Sequence, residues 1–532
     1  MSVQPPLYIT RAVVHEPRPN MLRALLVTGL AALAAAGAPA IIDPKRDDDH
    51  LTDHRCNSTG HAACGPDREC AYDPVYSQDK SVNCTCPLDD DGNAHCMMCL
   101  HSKLSAFQST DATGTFVIFL GGVLAGMSGI GGGGLNVPLL MLVMNFAVWE
   151  EAVPLSHMIV FGNAIAQNIV NLQRKHPLQA NRPLVDFSAP LLLLPAQLGG
   201  NSLGVLIGPS FPSTIMTILA SVLLSLAGLK TLRTAVKAYR KEKAQMAETQ
   251  RIAENIANGV EGDTKPTALL HPASVSPVDD EELMLLAQVA QTNRDNRQVA
   301  AKVGALVLFW GCFVFDYYGA HTWAPTQVCS LGQWGFRFFL YAVVVLAVGF
   351  GACLTRRSQA AREASGIRPL PGDITWSIPM CIGIPLLAYG VGIVAGLLGL
   401  GGGELMAPLL LAIGMLPQVA SATSAFMITF TSSADVVHYT FQGVLTPYPG
   451  YVVWALCLGF CSALTGRLLA VTVTTKFSHP SIIVFALGFI LWLSMGLLIA
   501  RSSQNEPDWE FSDFCTDASP VCPAGGNASV FY

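Results

Sequence analysis

Two sets of polar residues sit inside otherwise apolar segments of this 532-residue chain, and they are its candidates for chemistry. The first comprises Asn136, Ser156, His157, Asn163, Gln167 and Asn168. The second comprises Glu404, Thr423, Ser424, Thr429, Thr431, Ser432, Asp435 and His438. Amides and hydroxyls in such places offer neutral donors and acceptors, either to a ligand or to neighbouring helices. Carboxylates and imidazoles inside hydrocarbon point to ion pathways, because an unpaired charge there is costly. Glu404 and Asp435 are read as proton carriers, with a carboxylate pinned by a helix N-terminus as the alternative for Glu404. Asp435 and His438 are i, i+3 neighbours and could pair. His157 is either a titrating group or a hydrogen-bonded packing histidine. The chain has no convincing nucleophile–base set and no GxxxxGK[ST] loop, which argues against an enzyme and against ATP-driven pumping. No cofactor or metal is implied.

The polar sets follow a phrase that occurs twice. GVLAGMSGIGGGGLNVPLL runs from Gly122 to Leu140, and GIVAGLLGLGGGELMAPLL from Gly392 to Leu410. At an offset of 270 (Gly126 to Gly396), Gly129, Gly131, Gly132, Gly133, Leu135, Pro138, Leu139 and Leu140 also meet identical residues. Ser156 and Ser424 occupy matching places at an offset of 268, following Ala152 and Ala420. Each glycine weakens a helix by roughly 1 kcal/mol relative to alanine. A broken helix at membrane depth is tolerated only against protein or a watery cavity. A duplicated break points to a transporter made of two repeats. The alternative is close helix packing through small residues.

A half-helix beginning at such a break carries partial positive charge and favours anions. Gly131, Gly132, Gly133, Asn136, Ser156, Gly401, Gly402, Gly403, Thr423 and Ser424 are therefore the expected substrate-binding residues. A buried arginine is not required by this scheme. Arg337 and Arg467 sit near span ends, where a snorkelling or interfacial role is expected.

Composition agrees with a membrane protein: 51% of residues are apolar and 13% charged, unlike an ordinary soluble chain. Apolar runs of spanning length recur from about 115 to 500. No basic stripe with interleaved aromatics suggests nucleic acid. Residues 21–40 read as a signal segment, with Arg23, the apolar stretch Ala24 to Ala36, and Ala38-Pro39-Ala40 as a cleavage site. Of fifteen cysteines, seven lie between Cys56 and Cys99. After a secretion signal these are read as disulfides rather than a zinc site. Asn57, Asn83 and Asn527 open glycosylation triplets outside the apolar core.

Lysine and arginine set the threading, since short cytoplasmic loops carry the positive charge. Arg174, Lys175 and Arg182 mark one inner loop; Lys230 to Lys243 open a second; Arg356 to Arg368 mark a third and Lys476 a fourth. The expected order is an ectodomain (41–110), repeat 1 (114–232), a cytoplasmic linker (233–300), a connecting helix pair (301–355), repeat 2 (374–501) and an outer tail (502–532). The linker is read as mostly solvated, with one short helix from Glu281 to Ala290. The resulting fold is an all-α polytopic membrane protein of two inverted repeats. Each repeat has a re-entrant glycine-broken helix, the first turning at Gly131–Gly134, and about three spanning helices, and a small disulfide-rich ectodomain precedes them. Both termini face away from the cytoplasm, at the plasma membrane or an endomembrane.

The spacing of Cys56, Cys64, Cys70, Cys84, Cys86 and Cys96, in the phrases CGPDREC and CTCPLDDDGNAHC, resembles an EGF-like module. That resemblance implies pairs Cys56–Cys70, Cys64–Cys84 and Cys86–Cys96, leaving Cys99 over. The glycine phrases, Pro138 and Pro408, and the matched serines resemble the sulfite exporter TauE/SafE family over about 115–500, outside the linker. This resemblance implies transport of small sulfur-containing anions, such as sulfite or sulfonates, with protons as the coupling ion. The expected partners are thus a small anion, protons and the lipid bilayer, with room for a protein partner at the ectodomain or linker. The competing readings are a receptor or adhesion protein acting through the ectodomain, and an anion channel on the same scaffold.

The threading is testable. Glycan is expected on Asn57, Asn83 or Asn527, and a cysteine placed at Glu261 should resist an impermeant thiol reagent in intact cells. Rapid labelling at 261 would invert the arrangement.

Overall fold

The computed structural model describes residues 68–72, 97–101, 104, 109–144, 146, 151–207, 213–257, 279–323, 331–364, 372–398, 402–441, 445, 449–477 and 481–502. The signal segment, the three glycosylation triplets, Gly401 and Cys56, Cys64, Cys84, Cys86 and Cys96 lie outside them. Two short strands, β1 (Arg68–Tyr72) and β2 (Met97–His101), pair antiparallel, and their register sets Cys70 opposite Cys99. The EGF-like order gives Cys70 a different partner, Cys56.

The rest is almost wholly helical. α1 (Ser109–Ser128) and α2 (Gly133–Met144) are followed by α3 (Val153–Asn171), a small hairpin of β3 (Lys175–His176) and β4 (Gln179–Pro183), α4 (Ser188–Ile207) and α5 (Ser213–Ala257). α6 (Asp279–Trp323) and α7 (Leu331–Ala364) form the connecting pair. The first order then recurs as α8 (Ile378–Leu398), α9 (Gly403–Ala412), α10 (Pro417–Phe441), α11 (Pro449–Phe477) and α12 (Ser481–Ser502). Proline stands at the sixth position of both α2 and α9, so the sequence match extends into matched half-helices.

Among the described residues, seven helices are long and apolar enough to cross a membrane: α1, α3, α4, α8, and the apolar parts of α6, α7 and α11. This is a polytopic all-α membrane protein. α10 fails that test although it is 25 residues long. Its serines, threonines, Asp435 and His438 lower its hydropathy. Yet every residue from Val419 to His438 is buried, so protein rather than lipid surrounds it.

The linker differs from its expectation. α5 continues without interruption to Ala257, and α6 begins at Asp279, well before its apolar part. Ala, Glu, Gln and Lys are good helix formers. A helix already nucleated in the packed bundle propagates through them at little cost.

The glycines divide into two kinds. Those spaced by four let helices touch backbone to backbone. On α8, β-carbons at Gly392 and Gly396 would meet the carbonyls of Gln197 and Asn201 on α4, and those at Gly200 and Gly204 would meet Tyr389 and Ile393. On α1, β-carbons at Gly122 and Gly126 would meet Ser462 and Ala463 of α11, and one at Gly466 the Val123 carbonyl. The matched glycines of the two phrases thus dock each broken helix onto the opposite half of the chain. The glycine run has the other role and makes the break. α2 then turns back along α1: a β-carbon at Gly114 would meet Met144, and one at Gly121 would meet Leu135 and Leu139.

Contacts at the helix ends place the starts of α1 and α8. The Tyr451 hydroxyl donates to Asp111 Oδ1 at 2.9 Å, and Trp454 Nε1 to Thr115 Oγ1 at 3.1 Å, so α1 and α11 begin at one end. Arg182 pairs with Asp373 at 2.5 Å and Asp186 N donates to Thr423 Oγ1 at 3.1 Å, joining the start of α8 to that of α10 at the other end.

The docking contacts predict a sharp contrast. Gly204→Leu and Gly466→Val should each destabilise the bundle by about 3 kcal/mol or more, because a backbone carbonyl blocks the new side chain. Gly311→Ala has nothing within 4 Å of its β-carbon and should change the melting temperature of detergent-solubilised protein little.

Candidate functional site

The first break begins where α1 ends. Gly129 N and Ile130 N both bond to Ala125 O, at 2.9 and 3.4 Å, closing the helix. Gly129, Gly131 and Gly132 then take φ of +85°, +80° and +80°. A left-handed residue with a β-carbon costs roughly 1–2 kcal/mol, so three in four positions select glycine. Gly132 O accepts from Leu135 N at 3.1 Å and Asn136 N at 2.9 Å, and α2 starts. The turn therefore spans Gly129–Gly132 rather than Gly131–Gly134, and Gly133 is the first helical residue. In the second copy Gly402 (φ +67°) is the residue before α9, where Gly403 and Glu404 are the first two positions.

Neither the first turn nor Gly402 faces lipid. A β-carbon at Gly131 would lie 3.0 Å from Val160 of α3 and 3.4 Å from Ile428 of α10. One at Gly129 would fall onto the Ser421 hydroxyl of α10. Gln197, in the middle of α4, donates from Nε2 to Gly402 O at 3.2 Å and would be 2.5 Å from a β-carbon there. Sequence reading missed Gln197, whose only signal is an amide inside a leucine-rich helix.

The predicted binding residues fall into two groups around these turns. Ser156 donates to Gly133 O at 3.3 Å, which ties α3 to the first residue of α2. Asn136 is 1% exposed, and neither atom of its amide has a partner. It stands 3.9 Å from the β-carbon position of Gly132, so it borders the turn. Ser424 is fully buried with an unpartnered hydroxyl, and Gln197 Oε1 is also unpartnered. A buried polar atom without a partner costs about 1–3 kcal/mol, so these four atoms are open to a further donor or acceptor. Thr423 belongs elsewhere: its hydroxyl takes the Asp186 amide hydrogen and pins the α3–α4 connection to α10.

The remaining polar residues join the two halves. Asn168 Nδ2 donates to Thr429 Oγ1 at 2.7 Å and to Ala425 O at 3.0 Å, crossing from α3 to α10. Gln167 bonds back to Asn163 on its own helix. Asp435 gathers three helices. Asn201 of α4 donates to its Oδ1 at 2.7 Å, and His157 Nδ1 of α3 stands 3.3 Å from its Oδ2. The i, i+3 pair with His438 is not what forms; the His438 ring packs edge-on against Tyr317 at 4.7 Å, and Asp435 turns to His157 instead. Packing across the helix pair thus overrides helical neighbourhood.

Both arginines read as snorkelling residues point into protein. Arg337 donates to Ser202 Oγ at 2.9 Å and lies 5.8 Å over the Tyr317 ring. Arg467 is 0% exposed, and is the largest of the fully buried side chains. Its position directly after Gly466 directs it between α1 and α10, where Nη1 donates to Ser421 Oγ at 3.2 Å. Snorkelling needs a lipid-facing side chain, and this face of α11 is covered. Arg174, just beyond α3, is partly buried, which draws its pKa below the ordinary guanidinium value.

Comparison with known proteins places this geometry. The family model "Sulfite exporter TauE/SafE" matches residues 114–267 and 384–517, which include both glycine turns and leave out the connecting pair. Three curated Arabidopsis thaliana proteins are similar along most of their length. Sulfite exporter TauE/SafE family protein 3 is 28% identical over 383 residues, 72% of this chain and 76% of the relative. Family protein 5 is 29% identical over 397 residues, 71% and 80% of the two chains. Family protein 2 is 28% identical over 390 residues, with the same coverage. No solved structure matches. With both broken helices, their matched prolines and the helices that cover them inside the matched regions, the chain belongs to the sulfite exporter TauE/SafE family.

Proposed function

We infer that this chain is a secondary transporter of small sulfur-containing anions, sulfite and organic sulfonates, coupled to protons. The observation that carries the reading is the pair of buried glycine turns, bordered by the unpartnered polar atoms of Asn136, Ser424 and Gln197. Each turn ends in a half-helix N-terminus, at Gly133 and Gly403, which favours negative charge. The relatives' shared name adds sulfite as the first anion to test.

The contacts of α1 and α8 at opposite ends support two repeats of inverted orientation. The end bearing Arg174, Arg182 and Asp373 is then the cytoplasmic one, by the excess of positive charge nearby. Rocking of one half against the other around the glycine turns would expose the anion to each side alternately. Asp435 is the coupling carboxylate in this scheme, since three helices converge on it and His157 offers a second proton acceptor within reach. Glu404 takes the equivalent part beside the second turn, at the start of α9.

Two measurements on reconstituted vesicles test this. Uptake of radiolabelled sulfite, thiosulfate, taurine and sulfoacetate, with and without an imposed pH gradient, should show at least one driven substrate. Gly402→Val should abolish that flux at normal protein abundance, while Ser424→Ala should weaken affinity by about two- to tenfold, the worth of one neutral hydrogen bond. Unchanged flux in Gly402→Val would move the site away from the turns. In the second measurement, Asp435→Asn should uncouple flux from the pH gradient; a variant still driven by protons would remove Asp435 from the coupling role.

A further inference from the structure

We propose that Arg467 is an anion-binding residue, its guanidinium edge receiving two oxygens of the substrate's sulfite or sulfonate group beside the first glycine turn. The proposal rests on the transport reading and adds a residue that the half-helix argument does not need.

Arg467 is wholly buried, yet of its nitrogens only Nη1 has a partner, the Ser421 hydroxyl. Nε and Nη2 have none. No carboxylate among the described residues pairs with it, and the charge that acts on it is another arginine, Arg174. A guanidinium carries five N–H donors in a rigid plane and always keeps its charge. Leaving most of them unpaired in a protein interior is costly, and losing one partner of a buried pair is among the most destabilising changes known. The arrangement therefore suits an anion.

Geometry narrows the class. Nη1 lies on the Cδ side of the planar guanidinium; the unpartnered Nε–H and Nη2–H share the other edge and point the same way. Two parallel N–H groups match two oxygens of one oxyanion, the bidentate pattern in which arginine exceeds lysine. Ser421 fixes the orientation, and it is the residue that a β-carbon at Gly129 would strike, so one side chain separates the guanidinium from the turn. Arg174, at the cytoplasmic end in this reading, adds a second positive charge, and no acidic group among the described residues acts on it. An anion arriving from that side meets a rising positive potential.

The test uses full-length protein in proteoliposomes, with sulfite and taurine as the inorganic and organic probes. Arg467→Lys keeps the charge and removes the planar edge; Arg467→Gln removes both. KM for the transported probe should rise at least about tenfold in both variants, the worth of charge-assisted bonds, with a smaller change in kcat. Ser421→Ala should raise it about two- to tenfold. An arginine that only braces α1 against α10 would lower the melting temperature and leave KM where it was, and that result overturns the proposal. Wild-type crystals soaked in selenite, the heavier analogue of sulfite, give a readout independent of variant folding. An anomalous peak within hydrogen-bond reach of Nε and Nη2 is expected; a peak without contact to Arg467, or none, overturns the assignment. Wild-type protein that moves none of the anions sinks the transport reading together with this one. Wild-type transport with unaltered KM in Arg467→Lys sinks this one alone.

Discussion

The fold depends on one constraint: a backbone that leaves its helix inside a membrane must find partners in protein. At the first break the constraint is met locally, by Ala125 O and Gly132 O taking the amide hydrogens on either side of the turn. At the second it is met from outside, by the Gln197 side chain reaching Gly402 O. Both solutions need neighbours close enough to exclude lipid. α3 and α10 supply them, and their own burial follows from that task.

The neighbours come that close because of the spaced glycines. Gly122 and Gly126, with their counterparts Gly392 and Gly396, bring each broken helix to backbone contact with the opposite half of the chain. The two halves therefore cannot be separated into independent units without opening both breaks. Polar side chains then fill the seam. His157 stands beside Asp435, and the bonds from Asn168 to Thr429 and from Asn201 to Asp435 cross between helices that are distant in sequence. Such bonds would be of little value in water and specify the arrangement here, where no solvent competes.

Much of this was legible in residues alone. The duplicated phrase located the first break to within two positions, and Ser156 donates to Gly133 O beside it. The error in the turn's start at Gly129 came from weighing the run of glycines over the single one before Ile130. Both alternatives for the phrase are realised at once, because spaced and consecutive glycines answer different needs. The partner of Asp435 was not legible: helical spacing pointed to His438, whereas the tertiary neighbour is His157, 278 positions earlier (435 − 157). Arg467 was misplaced for a related reason. Distance from a span end says nothing about which face of a helix meets lipid, and only the packing of α11 on α1 and α3 decides that. The long helical arms of α5 and α6 were hidden by reading polar composition as solvation when it also favours helix.

α10 has a consequence for how the chain is made. A segment too polar to pass as a span, yet buried from Val419 to His438, gains nothing from entering lipid by itself. Its serines and threonines, several bonded back to their own helix carbonyls, and its aspartate become tolerable only once α3 and α4 stand beside it. During synthesis the insertion machinery must therefore hold α10 until those earlier helices are at hand, and the more apolar α11 follows to close the far side. Biogenesis of this protein is then limited by assembly rather than by partitioning, with this buried polar helix setting the order in which the others can be released.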